Sequence, residues 1–73
     1  MEFNEKYKFI VQVIDETLEY KGKIFKKIIE KIPVSSLKEK NFWMKEYRKL
    51  HPGKTIEIKE KFKEGWKVIK VIK

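Results

Sequence analysis

Between Ser36 and Gly53 the apolar residues Leu37, Trp43, Met44, Tyr47 and Leu50 recur at helical spacing, so at roughly 100° per residue they form one stripe. Lys38, Asn41, Lys45, Arg48 and Lys49 fall on the opposite side, with Phe42 at their edge. The segment also carries its own boundaries. Ser36 followed three residues later by Glu39 is a capping box, in which the serine oxygen accepts the Glu39 backbone N–H and the glutamate reaches back to Ser36. Pro52 cannot continue a helix, and Gly53 supplies a turn. The pattern predicts a helix over about 37–50, with its apolar stripe in the core and its basic side facing outward.

Upstream, Tyr7 to Ile14 is rich in β-branched and aromatic residues and reads as a strand. Tyr7, Phe9, Val11 and Val13 share one side, while Ile10 and Ile14 make the other side partly apolar, so the strand is expected to be covered on both faces. Downstream, His51-Pro52-Gly53-Lys54 places Pro then Gly at the middle of a type II turn. Ile56, Ile58 and Phe62 then alternate with Thr55, Glu57, Lys59 and Lys61, the pattern of a half-buried strand. Lys63-Glu64-Gly65 turns the chain into a last strand, with Trp66, Val68 and Ile72 on one side and Ile69 and Val71 on the other. An antiparallel C-terminal hairpin is expected.

Residues 15–32 admit two readings. As a helix, Asp15 caps the start, Glu19 pairs with Lys23, and Leu18, Phe25, Ile28, Ile29 and Ile32 share a face. As a hairpin, Gly22 supplies a positive φ between strands over about 6–20 and 23–32. Gly22 and Thr17 favour the hairpin, but apolar doublets four residues apart are helical spacing, and the helix is the preferred reading. The chain is therefore expected to be α+β, ordered β-α-α-β-β, with ββαββ as the alternative. Its 73 residues leave room for one compact domain, 1–73, and for a small core in which the ten aromatic residues, Phe3 among them, matter most.

The formal net charge is +8, and residues 1–20 carry −3 of it while residues 21–73 carry +11. Such segregation points to an anionic partner, with nucleic acid first, an acidic protein surface second and anionic lipid third. No cysteine is present to form a disulfide, a thiolate ligand or a nucleophile. The first residues lack a signal-peptide pattern, and no apolar run approaches a membrane span, so a cytoplasmic protein without integral membrane association is expected. Lysine, glutamate and isoleucine dominate, as in thermophiles or the AT-rich genomes of many phages.

Catalysis needs a base beside a nucleophile, and the one histidine, His51, sits between a helix end and a turn, where contact with the last helix carbonyls is its expected role. Glycines 22, 53 and 65 stand alone, so no phosphate loop is formed, and no cofactor or metal is expected. The chain reads as a binding protein. Its candidate nucleic-acid surfaces are a helix face of Lys38, Asn41, Phe42, Lys45, Arg48 and Lys49, and a hairpin surface of Lys59, Lys61, Lys63 and Lys67. Lysines neutralise phosphates without reading sequence, whereas Arg48 and Asn41 have the fork geometries that pair with base edges, and Phe42 or Trp66 offers a stacking ring. The alternative is a small phage-type interaction module that modulates a host or partner protein through an acidic patch. Glu57, Glu60 and Glu64, interleaved with the hairpin lysines, favour it because they repel phosphate.

Overall fold

The computed structural model describes residues 7–73, so Phe3 and the start of the expected first strand at residue 6 lie outside the described residues. The elements are β1 (Phe9–Tyr20), β2 (Lys23–Val34), α1 (Leu37–Leu50), β3 (Thr55–Phe62) and β4 (Gly65–Ile72). All neighbouring strands are antiparallel, in the order β2-β1-β3-β4. The chain is thus α+β, with four antiparallel strands and one helix in the order ββαββ.

The helix expected over residues 15–32 is replaced by two long strands. Lys21 and Gly22 both adopt positive φ, 52° and 78°. A two-residue turn with that geometry matches the twist of the flanking strands, and β-branched residues on either side complete the hairpin. The four-residue spacing that suggested a helix has another origin. The β1–β2 register shifts between Val13 and Ile14 and again between Ile14 and Glu16, leaving Ile29 and Asp15 as the extra residues. Two bulges within one turn-length break the alternation of a regular strand and bend it.

The bend has a structural consequence. β3 pairs with β1 only from Phe9 to Ile14, so the outer parts of β1 and β2 form a two-stranded arm. Lys26 lies five residues along β2 from the partner of Gln12 and two strands away from Glu57, farther than two extended side chains reach across a flat sheet. Its Nζ nevertheless donates to Glu57 Oε2 at 2.6 Å. The arm therefore curls back over the sheet face opposite the helix. There Gln12 and Glu57 are 1% and 3% exposed, and Gln12 Nε2 donates to Glu57 Oε1 at 2.7 Å.

On the other face Phe9, Val11, Val13, Val34 and Ile56 form the core with Tyr47 of α1, and Ile32, Trp43, Met44 and Ile72 pack against it. The part of β1 from Phe9 to Ile14 is buried on both sides, as its sequence implies. The helix begins at its predicted cap: Glu39 N donates to Ser36 Oγ at 3.2 Å. The Glu39 carboxylate, rather than reaching the Ser36 backbone, accepts from the hydroxyls of Ser35 and Ser36. Leu37 and Leu50 depart from the expected stripe; they occupy the first and last positions of the helix and are 61% and 62% exposed. Lys54 N donates to His51 O with Gly53 at φ +82°, which closes the expected type II turn. In β4 the extra residue Ile69 resets the alternation, so Val71 rather than Ile72 shares a face with Val68.

Candidate nucleic-acid interface

The basic side of α1 stands directly away from the core. Taking about 100° per residue, Lys38, Asn41, Phe42, Lys45, Arg48 and Lys49 occupy an arc of about 120° centred opposite buried Tyr47. All six are exposed. Lys40, which points inward, is half-buried with its ammonium 5.6 Å from the Phe9 ring centroid. Among the described residues no carboxylate lies within ion-pair distance of Lys38, Lys45, Arg48 or Lys49. Phe42 leaves 54% of its surface open and meets Trp43 edge to face, ring centroids 5.4 Å apart.

The hairpin lysines do not form the single surface expected of them. Lys59 and Lys61 alternate with Ile58 and lie on the sheet face opposite the helix, where Lys61 pairs across the ladder with Trp66. Lys67, opposite Glu60, lies on the helix side, its ammonium 3.9 Å from Glu64 and 5.6 Å from the Phe62 ring centroid. Lys63 is exposed in the turn between the strands. Trp66, read from the sequence as a stacking candidate, is half-buried.

Two clefts bring in residues that local pattern does not single out. One, of about 390 Å³, is lined by Tyr7, Lys8, Phe9, Glu60, Lys61, Phe62 and Lys63, joined where Lys61 N donates to Lys8 O. The other, of about 210 Å³, lies at the helix end and sets Arg48, His51, Lys54 and Lys73 around Gly53. Lys8 and Lys73 reach these places through strand register, for which neighbouring residues hold no signal.

The carboxylates are largely engaged elsewhere. Asp15 accepts from Lys54 and lies 3.7 Å from Lys27; the Lys54 hydrogen bond and charge hold its carboxyl below the ordinary value. Glu57 is buried in the arm contact, so of the three glutamates expected to repel phosphate only Glu60 and Glu64 retain a surface position. The His51 backbone N–H caps the helix by donating to Tyr47 O at 2.9 Å, and its ring lies 3.9 Å from Glu30. Burial, with the Glu30 charge, raises the Tyr47 phenol above its usual value. Among the described residues no group of three or more His, Asp or Glu side chains is placed to hold a metal, and no helix is long and apolar enough to cross a membrane. No protein-family model, curated protein or solved structure matches this chain.

Proposed function

We propose that the protein binds nucleic acid through the outward face of α1, mainly by phosphate contacts. The observation that carries this reading is the set of four cations, Lys38, Lys45, Arg48 and Lys49, that stand exposed on one helix face without a carboxylate partner among the described residues. Such charges release condensed counterions when they meet phosphates, which supplies affinity without sequence readout. From Lys38 to Lys49 the helix rises about 16 Å, a length over which one strand of a duplex presents several phosphates. Arg48 and Asn41 are the residues on this face able to bond a base edge in two places, and Phe42 provides the exposed ring for stacking on unpaired bases.

Fluorescence anisotropy with a labelled duplex of mixed sequence tests the reading. Binding in the micromolar range is expected at about 50 mM salt, and four contacts give a slope of log affinity against log salt near −3.6. Sequence is expected to change the affinity little, because lysine–phosphate contacts position rather than specify. No binding of duplex or single strand at that salt overturns the reading and leaves an acidic protein surface as the partner of the same face.

A further inference from the structure

The arm differs from the rest of the molecule in both charge and polarity. Residues 15–31 hold five lysines and four carboxylates, a net of +1, whereas residues 7–14 and 32–73 hold 13 cations against 5 carboxylates. The same arm exposes Leu18, Tyr20, Ile24, Phe25, Ile28 and Ile29, from 37% for Ile29 to 67% for Ile24. Leu18 and Phe25 are direct cross-strand partners, flanked on their side of the ribbon by the pairs Glu16–Lys27 and Tyr20–Lys23. Lys26, on the alternate side, points back to Glu57, so the Leu18–Phe25 side faces away from the body.

From these features we infer that the arm is a self-association surface and that the protein forms a two-fold dimer through the Leu18–Phe25 side. Taking a side chain at roughly 200 Å² when fully open, Leu18, Tyr20 and Phe25 expose about 330 Å² on that side, within the range of the largest patch on a monomer. With the stems of Lys23 and Lys27 added, a two-fold contact buries under about 1,200 Å² in total, the size class of weak, reversible association. The occupant follows from charge. A two-fold contact joins a surface to itself, so the surface must carry both signs in complementary places. Antiparallel packing of two ribbons sets Lys21 and Lys23 at the tip of one near Glu16 at the base of the other. The bodies, by contrast, carry net positive charge and repel one another. The dimer holds two basic helix faces on one particle, and this holds whether or not those faces bind nucleic acid.

Sedimentation equilibrium of the full chain over about 5–500 μM tests the inference, a range that covers dissociation constants typical of small apolar contacts. The expected result is a monomer–dimer equilibrium that persists at 0.5 M salt, since burial of apolar surface drives it. Leu18→Lys with Phe25→Lys is expected to raise the dissociation constant at least about 100-fold, with an unchanged far-UV spectrum because both side chains are open to water. Val71→Lys, which alters the exposed apolar edge at β4, leaves the dimer intact. A wild-type chain that stays monomeric across the range, that grows beyond a dimer, or that is dissociated by Val71→Lys rather than by the arm variant overturns the inference.

Discussion

Replacing Lys26 with methionine isolates the contact that holds the arm against the sheet. Glu57 is 3% exposed and accepts two hydrogen bonds, one from Gln12 at 2.7 Å and one from Lys26 at 2.6 Å. Methionine keeps most of the lysine stem but removes the counter-charge. Breaking a fully buried ion pair costs about 3–5 kcal/mol, because the remaining charge is left without compensation. The Lys26 side chain is 41% exposed, so water enters in its place, and the expected loss is about 1–3 kcal/mol after that discount. Against a total stability on the order of 5 kcal/mol for a chain of this size, that is a large fraction. Urea unfolding followed by the fluorescence of Trp43 and Trp66 measures it. Glu57→Gln removes the charge instead, and the double-mutant cycle between the two is expected to give a coupling of about 1–2 kcal/mol. A Lys26→Met loss below about 0.5 kcal/mol shows that water already satisfies the Glu57 carboxylate, and the arm would then not be clasped to the sheet.

Three further outcomes follow from local geometry. Gly22→Ala is expected to destabilise by about 1–2 kcal/mol, seen as a lower thermal midpoint; nothing lies within 4 Å of an added Cβ, so the loss comes from the positive φ alone. Because its folded value is depressed, Asp15 contributes stability that is present above the unfolded carboxylate value near 4 and is lost as pH falls through the folded one; acid titration of Asp15→Asn should show a flatter limb than wild type. Tyr47 has a raised folded value, so stability is retained up to about pH 10 and declines above it as the unfolded phenol ionises first, and Tyr47→Phe should remove that part of the alkaline decline.

What the sequence makes legible is what neighbouring residues determine. The Ser36–Glu39 cap, the Pro52-Gly53 stop and the alternation in 55–62 are all local signals, and the elements they specify form where expected. Residues 15–32 mislead because two bulges, at Asp15 and Ile29, offset the strand alternation until it imitates helical spacing. Gly22, at the turn itself, and the β-branched Thr17 carry the hairpin signal. Ile69 acts in the same way in β4 and offsets Val71 and Ile72, while Lys67 lies on the face opposite Lys59 and Lys61 because the tight turn sets it across from Glu60. Glu57 looks like a surface residue in any window of its neighbours; its burial depends on Gln12 and Lys26, 45 and 31 residues away, which only the fold brings together. The basic face of α1 was readable because a single helix carries all of it, whereas the contributions of Lys8 and Lys73 to the clefts depend on strand register.

The measurement that bears most directly on the helix face as the nucleic-acid contact is the salt dependence of duplex binding for two double variants beside wild type. Each lost phosphate contact removes about 0.9 from the slope, so Lys45→Gln with Lys49→Gln is expected to bring it from near −3.6 to about −1.8. Lys59→Gln with Lys61→Gln, on the sheet face away from α1, should leave it nearly unchanged. Flattening by the sheet variant while the helix variant keeps the wild-type slope would contradict the assignment and move the interface to the opposite side of the molecule.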